Sequence, residues 1–306
     1  MRIAVTGGPG QLVLSMGERA GAHGHVAIAV GPPALDLAAP DDEAIFAALA
    51  AVKPEAIVNA AAHTAVDRAE SERALAFAIN ADGAGAVARA AARLGVPLVH
   101  VSTDYVFAGD KPSPYTEDDA TGPTGVYGAS KLAGEQAVLA SGADAAILRT
   151  AWVYSPFGAN FAKTMLRLTE TRDELGVVAD QSGCPTSALD LADAAIMVAA
   201  NLAARPDVSL RGVFHATGSG EGTWADFAEA IFAASAEAGG PSARVKRITT
   251  ADYPTPARRP ANSRLDCGKL AAAHGVRLPQ WRESCRAVVG RLIREEIGRA
   301  SCRERV

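Results

Sequence analysis

Arg2-Ile-Ala-Val-Thr6-Gly-Gly-Pro-Gly10-Gln-Leu12, at the start of the chain, is the stretch that decides the fold. Its apolar first half is typical of a buried strand, and the glycines that follow predict a tight turn into a helix. A strand, a glycine turn and a helix in this order present backbone N–H groups to the pyrophosphate of a dinucleotide. The glycine pattern alone is weak evidence, but its position directly after a strand favours a cofactor site.

One position in this stretch departs from the usual glycine pattern. In Gly-x-x-Gly-x-x-Gly the third small residue lets the helix pack close to the sheet or the cofactor, and here Val13 occupies that position. We expect this valine to push the helix outward or to weaken cofactor binding.

Short apolar strands alternate with alanine-rich helices after the glycine turn. This alternation is typical of βαβ units, and right-handed crossovers then give a doubly wound parallel sheet. The predicted elements are strands at 26–30, 56–61, 98–103 and 145–153, and helices at 41–52 and about 71–94. We therefore predict an α/β protein with a Rossmann domain over residues 1–153.

The second half of the chain has a less regular pattern. It predicts helices at 159–172, 189–204, 224–238 and 281–297, and strands near 177–179, 212–216 and 244–248. Asp226 and Asp266 are expected near helix starts, where carboxylates are favoured. We predict a smaller mixed α/β substrate-binding domain over residues 154–297, with some segments returning to the first domain. Residues 298–306 are rich in charged residues and have no apolar periodicity. We exclude them from the fold as a tail that is either frayed or foreign to the native protein.

Composition narrows the kind of partner. The 306 residues are 49% hydrophobic and 21% charged, with a net charge of −4 and no long basic run, which argues against a nucleic-acid or membrane partner. No signal peptide or run of about 18 apolar residues is found, so we expect a cytoplasmic protein. The cysteines are scattered without Cys-x-x-Cys spacing, which indicates neither a zinc site nor a disulfide framework. The expected partner is a small molecule.

Tyr127 and Lys131 are four residues apart in Val126-Tyr-Gly-Ala-Ser-Lys-Leu-Ala-Gly-Glu135. On a helix this spacing places both side chains on one face, one turn apart. A nearby cation favours phenolate and lowers a tyrosine pKa, so we expect Tyr127 to exchange protons near neutrality. A chance Tyr-x-x-x-Lys with a half-buried ring remains an equal alternative for this pentapeptide alone.

Polar residues follow two of the predicted strands. Ser102-Thr-Asp-Tyr-Val-Phe107 and Ala61-Ala-His-Thr-Ala-Val-Asp67 begin where buried strands end, at the sheet edge where open α/β folds bind ligands. We expect Thr103 to donate a hydrogen bond to a substrate oxygen or to Tyr127. A capping and turn cluster would place the same residue types there.

Together these motifs resemble the extended short-chain dehydrogenase/reductases. More narrowly they are similar to the dTDP-4-dehydrorhamnose reductase family, which the segments Val58–Asp67 and Asp180-Gln-Ser-Gly-Cys-Pro-Thr186 mark most specifically. Further similar segments are Arg149–Tyr154, Phe214–Gly218 and Arg259–Asp266. The resemblance covers nearly all of the chain up to about Ile297.

The resemblance implies a set of site residues. The catalytic residues would be Thr103, Tyr127 and Lys131. The cofactor contacts would be Gly7, Gly10, Gln11, Leu12, Asp36, Leu37, Ala62, His63 and Thr64, together with Tyr127 and Lys131, and the substrate contacts would be Thr103, Asp104 and Trp152. A core aromatic is an equal alternative for Trp152. No metal ligands are assigned; Mg²⁺ and a homodimer are left open.

The reaction that the resemblance implies is reduction of the C4 ketone of dTDP-4-dehydrorhamnose to dTDP-rhamnose. Hydride from NADPH, or NADH, would reach C4 while Tyr127 protonates the oxygen. Two alternatives stay open. One is another sugar-nucleotide epimerase, dehydratase or reductase that uses NAD(P). The other is a non-catalytic subunit like the regulatory subunit of methionine adenosyltransferase.

Overall fold

A computed structural model describes residues 1–303, with side chains to residue 296. Its centre is a six-stranded parallel sheet in the order β10-β5-β4-β3-β1-β2. The described residues form twelve strands: β1 Arg2–Thr6, β2 Val26–Val30, β3 Ala56–Asn59, β4 Leu98–Thr103, β5 Ala145–Thr150, β6 Val153–Tyr154, β7 Glu174–Val178, β8 Ser182–Gly183, β9 Thr186–Ser187, β10 Gly212–His215, β11 Gly222–Thr223 and β12 Arg244–Ile248.

Helices cover both faces of this sheet, as a doubly wound fold requires. The α-helices are α1 Gln11–Arg19, α2 Asp42–Ala51, α3 Val66–Ala69, α4 Arg73–Phe77, α5 Ala84–Leu94, α6 Val126–Ala140, α7 Phe161–Leu168, α8 Ala188–Ala204, α9 Trp224–Glu237, α10 Gly268–His274 and α11 Trp281–Arg303. Apolar residues of α1, α8 and α10 bury one face of the sheet, and those of α2, α5 and α6 bury the other. The predicted α/β class and parallel sheet are confirmed.

A third apolar core lies outside the central sheet. Side chains of α7, α9 and α11 build it around the buried Trp281. Small two-stranded ladders accompany it: β7 with β12, β6 with β9, and β8 with β11. The sixth strand of the central sheet, β10, comes from the second half of the chain. The division of the chain at residue 153 stays a prediction.

Most predicted elements are present, with two corrections. The strand expected at 145–153 ends at Thr150, because Trp152 has a φ of 50° that a strand cannot continue through. The helix expected at 71–94 is interrupted by a π-helical turn at Ala78–Gly83. The helix expected at 281–297 continues to Arg303, and the rest of the predicted tail, residues 304–306, lies outside the described residues.

The two carboxylates that were predicted near helix starts, Asp226 and Asp266, are found there. Asp226 forms a capping box with Thr223 at the start of α9, and Asp266 accepts a hydrogen bond of 2.7 Å from the Gly268 N–H at the start of α10. None of the described helices is long and apolar enough to cross a membrane.

Candidate active site

A cavity of about 810 Å³ lies where the central strands β1, β3, β4 and β5 end. This is the sheet edge at which open α/β folds bind ligands. Eleven of the predicted site residues line it: Gly7, Gly10, Gln11, Leu12, Ala62, Thr64, Thr103, Asp104, Tyr127, Lys131 and Trp152. The structure thus brings together residues that are up to 145 positions apart in sequence (152 − 7).

The glycine turn after β1 leads into a helix start whose backbone N–H groups have no side-chain cap, while the N–H groups of Gly7 and Gly10 themselves bond to the Val30 and Gly8 carbonyls. Gly7 has a φ of 123°, which only glycine adopts without strain. Gly10 is the N-cap of α1, without a side-chain cap and without an acidic residue in the first turn. A Cβ on Gly8 would meet no protein atom within 4 Å. An uncapped helix start beside open space suits a pyrophosphate, so these residues fit a dinucleotide.

Val13 is part of the core beneath this turn. It is buried with Val5 and Met16, and its Cγ2 atom lies 3.4 Å from the position that a Cβ on Gly7 would take. That separation is ordinary van der Waals contact, so the valine fills the space between turn and helix. Weakened cofactor binding at Val13 stays a prediction.

Three predicted cofactor residues do not line the cavity. Asp36 is exposed and accepts a hydrogen bond from the Ala38 N–H. Leu37 is buried in the core against Gly83. His63 turns its ring toward the Glu72 carboxylate, 2.8 Å away, although its neighbours Ala62 and Thr64 both line the cavity.

The three predicted catalytic side chains converge from α6 and β4. Tyr127 is the second residue of α6 and Lys131 follows one turn later. The Lys131 ammonium is buried and donates a hydrogen bond of 2.7 Å to the Val101 carbonyl. Thr103 lies two residues further along β4, and its hydroxyl donates to the Asp104 carboxylate at 2.9 Å. The Thr103 side chain also interacts with the Tyr127 hydroxyl, so the expected contact between them is present beside the bond to Asp104.

The expected acidity of Tyr127 is wrong. Burial raises its pKa well above the usual range, and the charge of Asp104 adds to this, while the Thr103 side chain works in the opposite direction. Lys131 is not among the groups that lower the pKa of Tyr127, because its ammonium is directed at the Val101 carbonyl. Burial instead lowers the pKa of Lys131 to about 8, and the Glu135 carboxylate partly opposes that change. The unliganded site thus holds a protonated phenol beside a readily titrated amine.

Asp104 is the carboxylate of the cavity. Burial raises its pKa to about 6, against hydrogen bonds from the Ser263 and Thr103 side chains. Its Oδ2 atom is buried and has no partner among the described residues. A buried oxygen without a partner is costly, so a ligand hydroxyl that donates to it would be bound favourably.

Trp152 is held in a strained conformation against a second indole. A positive φ is rare for a bulky residue and marks a conformation that the surroundings impose. Its ring stacks on Trp224 at a centroid distance of 3.7 Å, and a Cβ on Gly183 would lie 2.4 Å from its Cε2 atom. Both indoles line the cavity and also pack against the third apolar core, so the substrate contact of Trp152 stays a prediction.

Sequence reasoning missed three further contributors. Trp224 and Tyr105 line the cavity, and the Tyr105 ring meets the Tyr127 ring edge-on at 5.5 Å. Glu70 accepts a hydrogen bond of 2.9 Å from the Val126 N–H and so caps α6 directly before Tyr127. Tyr105 belongs to a quoted motif and could have been found there. The other two come from distant segments, and no local pattern identifies them.

The described residues contain no group of three or more histidine, cysteine, aspartate or glutamate side chains that could hold a metal ion. The cavity brings a phenol, an ammonium, a hydroxyl and a carboxylate together beside a dinucleotide-type turn. Such a set can bind a redox dinucleotide and exchange a proton with a bound oxygen.

Comparison with known proteins assigns the family. The sequence profile of the RmlD substrate binding domain matches residues 1–294. A dTDP-4-dehydrorhamnose reductase from Sinorhizobium fredii is 51% identical over 295 residues, which are 96% of this chain and 99% of that protein. The chain belongs to the dTDP-4-dehydrorhamnose reductase family.

Solved structures of this reductase family have the same fold. A dTDP-4-dehydrorhamnose reductase from Clostridium acetobutylicum is 38% identical, with a TM-score of 0.86 over 95% of this chain and 99% of that one. A second, from Bacillus anthracis in complex with NADP, is 36% identical, with a TM-score of 0.84 over 94% of this chain and 98% of that one. The predicted family is confirmed.

Proposed function

We propose that the protein reduces the C4 ketone of dTDP-4-dehydrorhamnose to dTDP-L-rhamnose with NADPH, for the synthesis of cell-surface polysaccharide. The observation that carries this is the convergence of Thr103, Tyr127 and Lys131 in one cavity with the glycine turn, in a chain of this family. NADH remains the comparison cofactor. The proposal includes a cytoplasmic location, where NADPH is supplied.

The glycine turn would hold the dinucleotide. Free N–H groups at the start of α1 would bind its pyrophosphate, with Ala62 and Thr64 along the same wall and Lys131 at the ribose. NADPH, when bound, supplies the hydride. Asp36, Leu37 and His63 do not line the cavity, and their proposed cofactor contacts rest on the resemblance alone.

Tyr127 would supply the proton. Its raised pKa keeps the phenol protonated before the reaction, which is the state that a proton donor needs. An alkoxide is much more basic than a phenolate, so transfer to a developing alkoxide is downhill even from this phenol. Lys131 would act at the cofactor ribose, since its ammonium donates to the Val101 carbonyl rather than to the phenol.

The sugar would lie between β4 and the aromatic wall. Thr103 would orient the ketone oxygen, and the unpartnered Asp104 oxygen would accept a hydrogen bond from a sugar hydroxyl. Trp152, backed by Trp224, would offer a flat apolar surface to the 6-deoxy side. Each of these groups lines the cavity that also contains Tyr127.

An NADPH-oxidation assay with dTDP-4-dehydrorhamnose tests the proposal, with NADH as the comparison and the product identified by mass spectrometry. We expect NADPH consumption and one equivalent of dTDP-rhamnose. Bound dinucleotide that is recycled without net oxidation would favour an epimerase or dehydratase. Dinucleotide binding without turnover on any nucleotide sugar would favour a regulatory subunit. Light scattering on the same sample would determine whether it is a homodimer.

A further inference from the structure

A buried ion pair lies behind the active-site cavity and has no part in the reaction described above. Glu135 and Arg149 are 2% and 4% exposed. Arg149 donates two hydrogen bonds to the carboxylate, of 2.9 Å from Nε to Oε1 and 2.7 Å from Nη2 to Oε2. Neither residue lines the cavity. Apolar residues of similar size often serve as well as a buried ion pair for stability, so stability alone does not account for this one.

Glu135 lies on the face of α6 that carries the catalytic side chains. Tyr127, Lys131 and Glu135 are spaced by four residues, so one helical turn separates each from the next. A carboxylate and an ammonium at this spacing on a helix attract each other. Burial lowers the pKa of Lys131, and the Glu135 carboxylate opposes that change. The carboxylate therefore acts on the Lys131 charge from the side away from Tyr127.

The same carboxylate is tied to β4 at the level of the active site. The Ser102 hydroxyl donates to Oε1 of Glu135 at 2.5 Å. Ser102 follows Val101, whose carbonyl accepts the hydrogen bond of 2.7 Å from Lys131, and it precedes Thr103. Two successive turns of α6 are thus bound to two successive residues of β4, directly before Thr103.

The neighbouring strand β5 fixes the orientation of the carboxylate. Arg149 lies opposite Ser102 in the parallel register of β4 and β5, so the two partners of Glu135 come from paired positions. The Arg149 guanidinium also lies over the Phe107 ring, 4.9 Å from its centroid. A planar guanidinium that is held by two hydrogen bonds and an aromatic face has little freedom to turn. Glu135 is therefore held in one position.

The other titratable groups near Lys131 carry no compensating negative charge. His100 reaches it from β4, and burial lowers the pKa of this imidazole well below its usual range, to which the charge of Lys131 adds. Tyr127 is one turn earlier on α6 and keeps its proton, because burial raises its pKa. Arg149 is a cation and is paired with Glu135. Among the described residues, Glu135 is the carboxylate that favours the charged form of Lys131.

We propose that Glu135 is a positioning residue for the reaction: tied to Ser102 and Arg149, it holds the Lys131 ammonium beside Thr103 and supplies the negative charge next to it. The inference deepens the proposed function and rests on it, since Lys131 is the group proposed to bind the ribose of NADPH. Glu135 and Arg149 act through Lys131 and touch neither cofactor nor substrate.

Glu135→Gln tests the proposal, because it keeps the size of the side chain and removes its charge. Without a negative neighbour the ammonium is disfavoured, so Lys131 should lose its proton at a lower pH than about 8. NADPH binding, measured by nicotinamide fluorescence from pH 6 to 9 without sugar, should therefore weaken with a midpoint about one pH unit lower than in wild type. The affinity should be roughly fivefold below wild type at pH 8 and within about twofold of it at pH 6.5.

A double variant separates this role from a purely structural one. Glu135→Gln leaves Arg149 buried without its partner, which can destabilise the fold. Glu135→Gln with Arg149→Met removes both charges and should recover the Tm. We expect the midpoint for NADPH binding to stay low in the double variant. Recovery of the Tm together with the wild-type midpoint, or loss of folding in both variants, would assign the pair to stability alone and overturn the inference.

Asp144→Asn is the matched control. Asp144 precedes β5 at the opposite end of the strand from Arg149 and accepts a hydrogen bond of 2.6 Å from Arg211, so the variant also removes a carboxylate from an arginine pair. Its midpoint for NADPH binding should match wild type.

The binding measurement does not depend on turnover of a sugar. A lowered midpoint in Glu135→Gln would support the inference even if no nucleotide sugar is reduced. An unchanged midpoint in Glu135→Gln, with reduction of dTDP-4-dehydrorhamnose intact, would overturn the inference and leave the proposed function standing. Absence of NADPH binding in wild type would overturn both.

Discussion

Tyr127 shows how burial can outweigh a neighbouring cation at the scale of one residue. The sequence places an ammonium one turn away, and the spacing is correct. The spacing does not reveal the direction of the Lys131 side chain. Its ammonium donates a hydrogen bond to the Val101 carbonyl rather than to the phenol. The phenol is left in a buried setting near the Asp104 carboxylate, and its pKa rises.

Replacement of Tyr127 by phenylalanine should remove most turnover. The change deletes one hydroxyl and keeps the aromatic ring, so the fold should persist. General-acid contributions are typically ~10²–10⁴-fold, and we expect a loss of kcat in that range. Circular dichroism should match wild type. Turnover close to wild type would exclude Tyr127 as the proton donor.

The pH dependence of kcat/KM should have two limbs set by the unliganded protein. Asp104, with a pKa of about 6, is ionised above that pH and can then accept a hydroxyl, so activity should rise through pH 6. Lys131, with a pKa of about 8, loses its charge above that pH, so activity should fall through pH 8.

Asp104→Asn is the control for the pH profile. It keeps a polar side chain of the same size but cannot ionise, so the acid limb should disappear while the basic limb remains. A wild-type profile that stays flat to about pH 10, where an ordinary lysine titrates, would contradict the role given to Lys131.

At the scale of elements, the start of α6 depends on a carboxylate from another segment. Gly125, the N-cap of α6, has no side chain to cap the helix. Glu70 supplies the acceptor from just beyond α3, and a Cβ on Gly125 would lie 2.7 Å from its Oε1 atom. Glycine is therefore required at the cap so that Glu70 can reach the helix that carries Tyr127.

Removal of this cap by Glu70→Ala should cost about 1 kcal/mol of unfolding free energy, as lost helix caps do. Because the freed turn contains Tyr127, kcat should also fall, with the KM for NADPH little changed. Glu70→Gln keeps an acceptor oxygen and should recover most of both quantities. Equal kcat values for the alanine variant and wild type would show that the cap does not position Tyr127.

The break after β5 is a second element-scale feature. Replacing Gly183 with alanine would place a methyl group against the Trp152 indole. We expect the displaced ring to raise the KM for the sugar substrate roughly tenfold, because small misplacements of positioning groups are costly. Gly176→Ala is the control, since its Cβ would meet only Ile248 at 3.4 Å. Identical KM values for the two variants would argue against Trp152 as a substrate contact.

For the whole molecule, local patterns predicted the architecture well because strand and helix periods differ clearly. The predicted strands at 98–103 and 244–248 match β4 and β12, and the predicted helix at 189–204 matches α8 within one residue. The π-helical turn at Ala78–Gly83 was not predictable. There Asn80 bonds to His63 and Ser130, partners 17 and 50 residues away.

Site residues that directly follow a strand were predictable from the sequence. Site residues from the second half of the chain were much less predictable. Thr103 and Gly10 follow from their strands, whereas Trp224 reaches the cavity only through tertiary packing against Trp152. A second cavity, of about 420 Å³, likewise joins Asp180 to Tyr253, which no spacing rule connects. Leu37 was expected at the cofactor and lies in the core, where its side chain packs closely against Gly83 of the π-helical turn.

The central claim is that hydride from a nicotinamide reaches C4 of a nucleotide sugar in this cavity. The most direct measurement uses NADPH in which both hydrogens at C4 of the nicotinamide are replaced by deuterium, with dTDP-4-dehydrorhamnose as substrate and the product analysed by NMR and mass spectrometry. We predict dTDP-rhamnose with one deuterium, at the sugar C4. Absence of deuterium from the product, or unconsumed NADPH, would contradict the account.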